Sequence, residues 1–163
     1  MAVRKRKIQA NYIEIEGKYV LVGTGFTELT ESFGAQTSSK RYINQASATQ
    51  SITGYEWSAS FTADQIKDEK AVEFILSIAE EEKLGEETET NFLIIDLDKP
   101  AQDGGFRARK RTVAISVDST EDNDGELGYS GSFLGMSDVV VGTAKITELT
   151  GEVTFTEGFT AAV

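Results

Sequence analysis

The chain carries 27 aspartates and glutamates and 16 lysines and arginines, but no histidine and no cysteine. Thiolate nucleophiles, imidazole bases, disulfides and the usual zinc sites are excluded by that inventory alone. Carboxylate and hydroxyl chemistry remain. A carboxylate serves as a general acid or base when an apolar setting shifts its pKa, and no carboxylate pair stands out in such a setting. No serine or threonine has a base beside it in a defined context. Two segments resemble ligand loops and fail on spacing. Gly23-Thr24-Gly25 follows an apolar run, but Glu28 stands where a dinucleotide fingerprint needs its third glycine, and no helix follows; a turn is expected. Asp122-Asn123-Asp124-Gly125 would put Thr120 and Gly131 at the first and twelfth positions of a calcium loop, where acidic ligands belong. A hairpin tip with Asp-Gly is expected instead. The inventory points to no enzyme, no metal and no cofactor.

The basic residues are concentrated. Arg4, Lys5, Arg6 and Lys7 form a basic arm within residues 1–7, Lys40-Arg41 interrupts a polar stretch, and Arg107-Ala108-Arg109-Lys110-Arg111 makes a second run. With a net charge of −11, nucleic acid and anionic membrane surfaces are disfavoured as binding partners. The N-terminal arm reads as a nucleic-acid patch, a solvated end that touches an acidic partner, or plain solubility. On a strand, Arg107, Arg109 and Arg111 share one face and Lys110 takes the other. Only Phe106 is near enough to stack a base. Carboxylates on another copy of the chain, at 80–89 or 118–126, suit this run better.

These residues must be held by something, and the hydrophobic periods say what. Between 53 and 61 apolar and polar residues alternate: Thr53, Tyr55, Trp57, Ala59 and Phe61 on one face, Gly54, Glu56, Ser58 and Ser60 on the other. That is an antiparallel strand with one wet face. From 68 to 84, Ala71, Val72, Phe74, Ile75, Ile78 and Ala79 recur three and four apart, which predicts an amphipathic helix with Asp68 as N-cap and Gly85 at its end. Further strands are expected at 8–15 and 18–22 around a Glu16-Gly17 turn, at 27–33, 91–97, 109–117, 127–133, 139–146 and 152–155. The run 91–97 is nearly continuous in apolar residues and reads as a buried strand. A single mainly β domain over 1–163 with one flanking helix follows. The stretch 34–50 is too polar for a core and too long for a tight turn, so a long polar loop is expected there, and such loops are usually functional. No apolar run approaches the ~18–20 residues that span a bilayer, and no secretion signal is read.

In this order, with Gly54-Tyr55-Glu56-Trp57-Ser58-Ala59-Ser60-Phe61, the helix, Phe92-Leu93-Ile94-Ile95-Asp96-Leu97, Tyr129-Ser130-Gly131-Ser132-Phe133, Val141-Gly142-Thr143 and Gly151-Glu152-Val153-Thr154-Phe155, the chain resembles the tail tube (major tail) proteins of tailed bacteriophages. The resemblance covers nearly the whole chain and lies in order and spacing. It implies two antiparallel sheets packed as a sandwich or partial barrel with one flanking helix. It also implies a structural virion protein without an active site, assembled in the host cytoplasm into stacked hexameric rings. The resulting tail tube would conduct DNA without binding it, and tape-measure, tail terminator and initiator proteins would be partners. Related tubes occur in phage-derived contractile injection systems. The competing reading is a decoration or adhesion β-sandwich that binds a surface carbohydrate. On the tube reading, Glu56, Ser58 and Ser60, and with less support Glu14 and Glu16, are expected to face the lumen. Arg4, Lys5, Arg6, Lys7, Lys40, Arg41, Arg107, Arg109 and Arg111 are expected between subunits or rings, making stacking salt-sensitive. The 34–50 segment is expected to reach a neighbour and to order on assembly.

Overall fold

A computed structural model describes residues 2–163. The chain forms β1 (Gln9–Ile15), β2 (Lys18–Leu21), β3 (Phe26–Ser32), β4 (Ala35–Lys40), β5 (Thr49–Tyr55), β6 (Ser58–Asp64), α1 (Lys70–Glu80), β7 (Glu89–Pro100), β8 (Phe106–Asn123), β9 (Glu126–Gly135), β10 (Val140–Ile146) and β11 (Val153–Glu157). Nine strands make one antiparallel sheet in the order β2-β1-β7-β8-β9-β6-β3, with β10 and β11 branching from β8. The branch is possible because β8 is 18 residues long. β10 pairs with Phe106 to Lys110, and β9 takes the same edge from Val113 to Asn123.

The sheet is curled, as its side-chain contacts require. Strands β6 and β7 are separated by β9 and β8, roughly 14 Å on a flat sheet at ~4.8 Å per step. Yet the rings of Trp57, just before β6, and Phe92 on β7 lie 5.8 Å apart. Phe133 bridges them, 4.8 Å from Phe92 and 4.9 Å from Phe61. Each such pair contributes about 1 kcal/mol beyond the area it buries. Ala71, Val72, Ile75 and Ile78 of α1 complete this core. On the other side of β1, β7 and β8, a second core of Tyr12, Leu93, Ile95, Ala108, Ala144 and Val153 is wrapped by β10 and β11, with β11 reaching β2. The expected sandwich or partial barrel therefore takes the form of two half-barrels sharing three strands. β7 lies between them, so Phe92 to Asp96 are all buried, which is why the run reads as nearly continuous.

Both expected hairpin turns are present. Glu16-Gly17 and Asp124-Gly125 carry positive φ at both positions, as two-residue loops between twisted strands require, and Gly125 N–H donates to Asp122 Oδ1 at 2.8 Å. The helix is shorter than the expected 68–84. Its N-cap is Glu69, without a side-chain cap bond, and Asp68 instead sits at φ 64. At its C-terminus, Lys83 N–H donates to the Ile78 carbonyl and Glu82 N–H to the Ala79 carbonyl, with Glu82 at φ 51. This is a Schellman ending with a glutamate where glycine is usual; Gly85 begins the following 3-10 turn.

Two corrections concern 34–61. The expected single strand over 53–61 is broken at Glu56 and Trp57, and the expected loop over 34–50 contains most of a second, two-stranded sheet, β4-β5. The physical reason is a pivot. β3 pairs with β6 inside the body, while their extensions β4 and β5 pair outside it, and the ribbon turns where Glu56 N–H meets the Gly34 carbonyl at 3.0 Å. Gly34 has φ +56, and a Cβ there would lie 2.4 Å from the Glu56 carbonyl oxygen. Trp57, Ala59 and Phe61 point inward as expected, but Thr53 and Tyr55 are beyond the pivot and exposed.

Candidate interaction surfaces

Along β8 the inward positions run Arg107, Arg109, Arg111, Val113, Ile115: three cations, then the core. The cations therefore form one end of the first half-barrel, where they line an open basin of about 1440 Å³ with Arg4, Lys99 and three carboxylates, Glu31, Asp96 and Asp138. Asp96 is its fixed point. The side chain is 2% exposed, and Arg4 Nη2, Arg107 Nη1 and Gln9 Nε2 lie within 3.1–3.2 Å of its oxygens. Burial alone would raise the pKa of this carboxyl; hydrogen bonds from Gln9 and Arg4 and the charges of Lys99 and Arg109 outweigh it and hold it below the ordinary value. Arg4 also grips Asp98 through Nε and Nη2 at 2.8 and 2.7 Å.

Glu31 is the second fixed point. It accepts two hydrogen bonds from Arg109, at 2.6 and 3.2 Å, and one from Trp57 Nε1 at 2.7 Å. Arg111 lies over the Trp57 ring, 4.2 Å from its centroid. Desolvation pushes its pKa down, only partly offset by the charge of Glu31, and it makes no ion pair among the described residues. Arg4, Arg107 and Arg109 are held by carboxylates of their own chain, because Asp96 and Glu31 share their face of the sheet. Lys110 sits on the opposite face, 5.6 Å from the Phe155 ring centroid. Asp96, inside a nearly continuous apolar run, and Glu31, alternating with Leu29 and Phe33, were recognisable as charged residues at inward positions.

The outward face of β3, β6, β9 and the second half of β8 is a different surface. Register aligns Thr30, Ser60, Ser132 and Ser116 in one row, and Glu28, Thr62, Ser130 and Ser119 in the next. Glu121 closes the second row by accepting from Ser119 and Ser130. No lysine or arginine stands on this wall from Glu28 to Ser32, Ser58 to Asp64, Ala114 to Asn123 or Glu126 to Leu134. Ser58 and Ser60 are on it, and Glu56 is exposed at its rim beside the pivot. Glu14 and Glu16 are elsewhere: Glu14 accepts from Asn91 Nδ2 at 2.7 Å in an acidic recess with Glu86 and Glu89. The structure thus separates the five lumen candidates into two groups.

The third surface is the β4-β5 ribbon. Every residue of β4 is exposed, and in β5 only Gly54 is partly covered. The segment 35–55 holds Lys40 and Arg41 and no carboxylate. Tyr42, Ile43, Ile52 and Tyr55 expose 54%, 109%, 60% and 63% of their surface. Lys40 lies 5.0 Å from the Tyr42 ring centroid. In the N-terminal segment, Arg6 donates to the Gln9 carbonyl at 2.8 Å, while Lys5 and Lys7 are exposed. The expected arm begins at Met1, which lies outside the described residues. A two-stranded ribbon without a buried face is marginal alone, and unpaired outer edges plus apolar side chains make it a natural element to lay against another surface.

No family model matches the chain, and no curated protein does. Solved structures do. A chain from the tail of an empty gene transfer agent particle, refined with C6 symmetry, matches with a TM-score of 0.61 at 17% identity, over 84% of this chain and 97% of that one. A chain from the virion of a native gene transfer agent particle gives 0.61 at 16% identity, over 85% and 98%. A chain from the extended sheath–tube complex of an extracellular contractile injection system gives 0.53 at 9% identity, over 85% and 90%. The mainly β body with one helix therefore has the fold found in components of a gene transfer agent tail and of a contractile injection system.

Proposed function

We propose that this chain is a tail tube subunit whose copies close into hexameric rings that stack into the hollow tube of a virion tail. The observation that carries this is the likeness of fold to a C6-symmetric tail over nearly the full length of both chains. On this reading the protein is structural and not an enzyme. It assembles in the host cytoplasm, with a tape-measure protein and tail terminator and initiator proteins as partners. The lysine-free wall centred on Ser60 faces the bore, with Glu56 at its rim. Six copies at −11 each bring −66 to a ring. Acidic and hydroxyl side chains give the phosphate backbone no cation to bind, so DNA slides. Glu14 and Glu16 belong to a different flank and are the weaker lumen candidates. The β4-β5 ribbon, with Lys40 and Arg41, reaches a neighbouring subunit or ring, and Lys5 and Lys7 serve the same contacts.

A tube of a contractile injection system is the second reading, favoured by the likeness to a sheath–tube complex. A carbohydrate-binding module is favoured only by exposed Tyr42 and Tyr55, of which Tyr55 alone lines the basin while Tyr42 sits out on the ribbon. Negative-stain microscopy of concentrated protein tests the proposal. Six-fold rings or tubes are the expected result, and dispersed single molecules at all concentrations would overturn it.

A further inference from the structure

β8 is charged oppositely at its two ends. Its first residues carry Arg107, Arg109, Lys110 and Arg111, and its last carry Asp118, Glu121 and Asp122, followed across the turn by Asp124 and Glu126. The basic end opens on the basin, where five cations face three carboxylates, on a chain whose net charge is −11. Arg111 makes no ion pair there among the described residues, and exposed Met136 and Val139 form an apolar rim. The acidic end is a hairpin tip that projects past its last bond to the rest of the sheet, Gln65 N–H to the Leu127 carbonyl. It carries exposed Leu127 among the carboxylates. From Arg111 to Glu121 is roughly 33 Å at ~3.3 Å per residue, so the two surfaces cannot meet within one molecule.

We propose that the acidic β8-β9 hairpin tip of one copy seats in the basic basin of the next, a head-to-tail contact that places Asp122, Asp124 and Glu126 near Arg111 and Lys99 and Leu127 against Met136. The contact joins two different surfaces, so it repeats from copy to copy and generates either a closed ring or a stack. It deepens the tube reading by naming which surfaces of the subunit engage, and it rests on that reading only for the geometry of closure.

The absence of native cysteine makes the test clean. In a chain carrying both Glu126→Cys and Met136→Cys, the two thiols lie at opposite ends of β9, too far apart for an intramolecular disulfide. Mild oxidation is expected to give a ladder of covalent oligomers, ending at six copies if the contact closes a ring and continuing if it joins rings. The ladder should vanish at about molar salt, and Asp124→Asn with Glu126→Lys should raise the concentration needed for assembly about tenfold or more in chains without the cysteines. Oxidised chains that stay single, or that crosslink Met136→Cys to Ile43→Cys on the ribbon in preference to Glu126→Cys, would overturn the contact. Microscopy of the same samples judges the tube reading separately: rings without the ladder keep the tube and discard the contact, and a ladder without rings does the reverse.

Discussion

At the scale of single residues the basin is organised by two carboxylates that face several cations. Asp96 is the more buried, and its charge is what Arg4, Arg107 and Lys99 are gathered around. Its folded-state pKa is depressed below the ordinary 3.8, so its contribution is complete above that value and is lost as pH falls through the lower, folded one. Asp96→Asn should cost about 2 kcal/mol near neutral pH. Wild-type and variant melting temperatures should converge as pH drops below about 4, and thermal denaturation followed by circular dichroism from neutral to acid pH would check this. A constant difference across that range would show that the carboxylate's charge is not what matters. Trp57 is the only tryptophan, so its emission reports directly on the Glu31–Arg109 pair that it joins.

Among the elements, most strands were legible because their faces differ: alternation placed Ala59, Phe61, Val113, Ile115 and Phe133 inward, and the nearly continuous apolar run at 91–97 marked a buried strand, which two cores turn out to share. The Glu16-Gly17 and Asp124-Gly125 turns were legible from turn chemistry. Three features were not. Periodicity is indifferent to a change of direction, so alternation through Tyr55 continued across the pivot at Glu56 without revealing it. A ribbon of Ser, Thr and Gln has no apolar face, so β4 and the first two residues of β5 read as loop. The pairing of Arg107 with Asp96 follows from the β7-β8 register, and that of Arg109 with Glu31 depends on the curl that brings β3 opposite β8; no local pattern encodes either. The pivot itself is testable. Gly34→Ala meets both a positive φ and a backbone oxygen 2.4 Å from the new Cβ, and should cost about 1–3 kcal/mol locally. The far-ultraviolet spectrum of the body should persist while the ribbon is re-aimed and assembly is weakened; normal assembly with normal stability would show that the pivot angle is immaterial.

For the whole molecule, the proposed orientation puts one wall toward the passing polymer and the basin, hairpin tip and ribbon toward other copies. Ser60 is at the centre of that wall, exposed on the outward strand face and not among the residues that line the basin. Ser60→Lys would add six cations to the bore of each ring while leaving every contact surface intact. Rings and tubes should form as before, and DNA release, timed by dye uptake after triggered ejection, should slow several-fold at low salt and recover as salt rises; Glu56→Lys should act in the same direction. Unchanged release from tubes that contain the variant would mean that the wall faces elsewhere. The length of β8 has a mechanical consequence as well. A pull along this strand loads the crosswise bonds to β7, β9 and β10 together, in shear, so that many must yield at once, whereas a push on the β4-β5 ribbon meets only the single turn at Gly34. The subunit is accordingly stiff along one axis and compliant at one appendage, a division suited to a part that must bear tension while adjusting its grip.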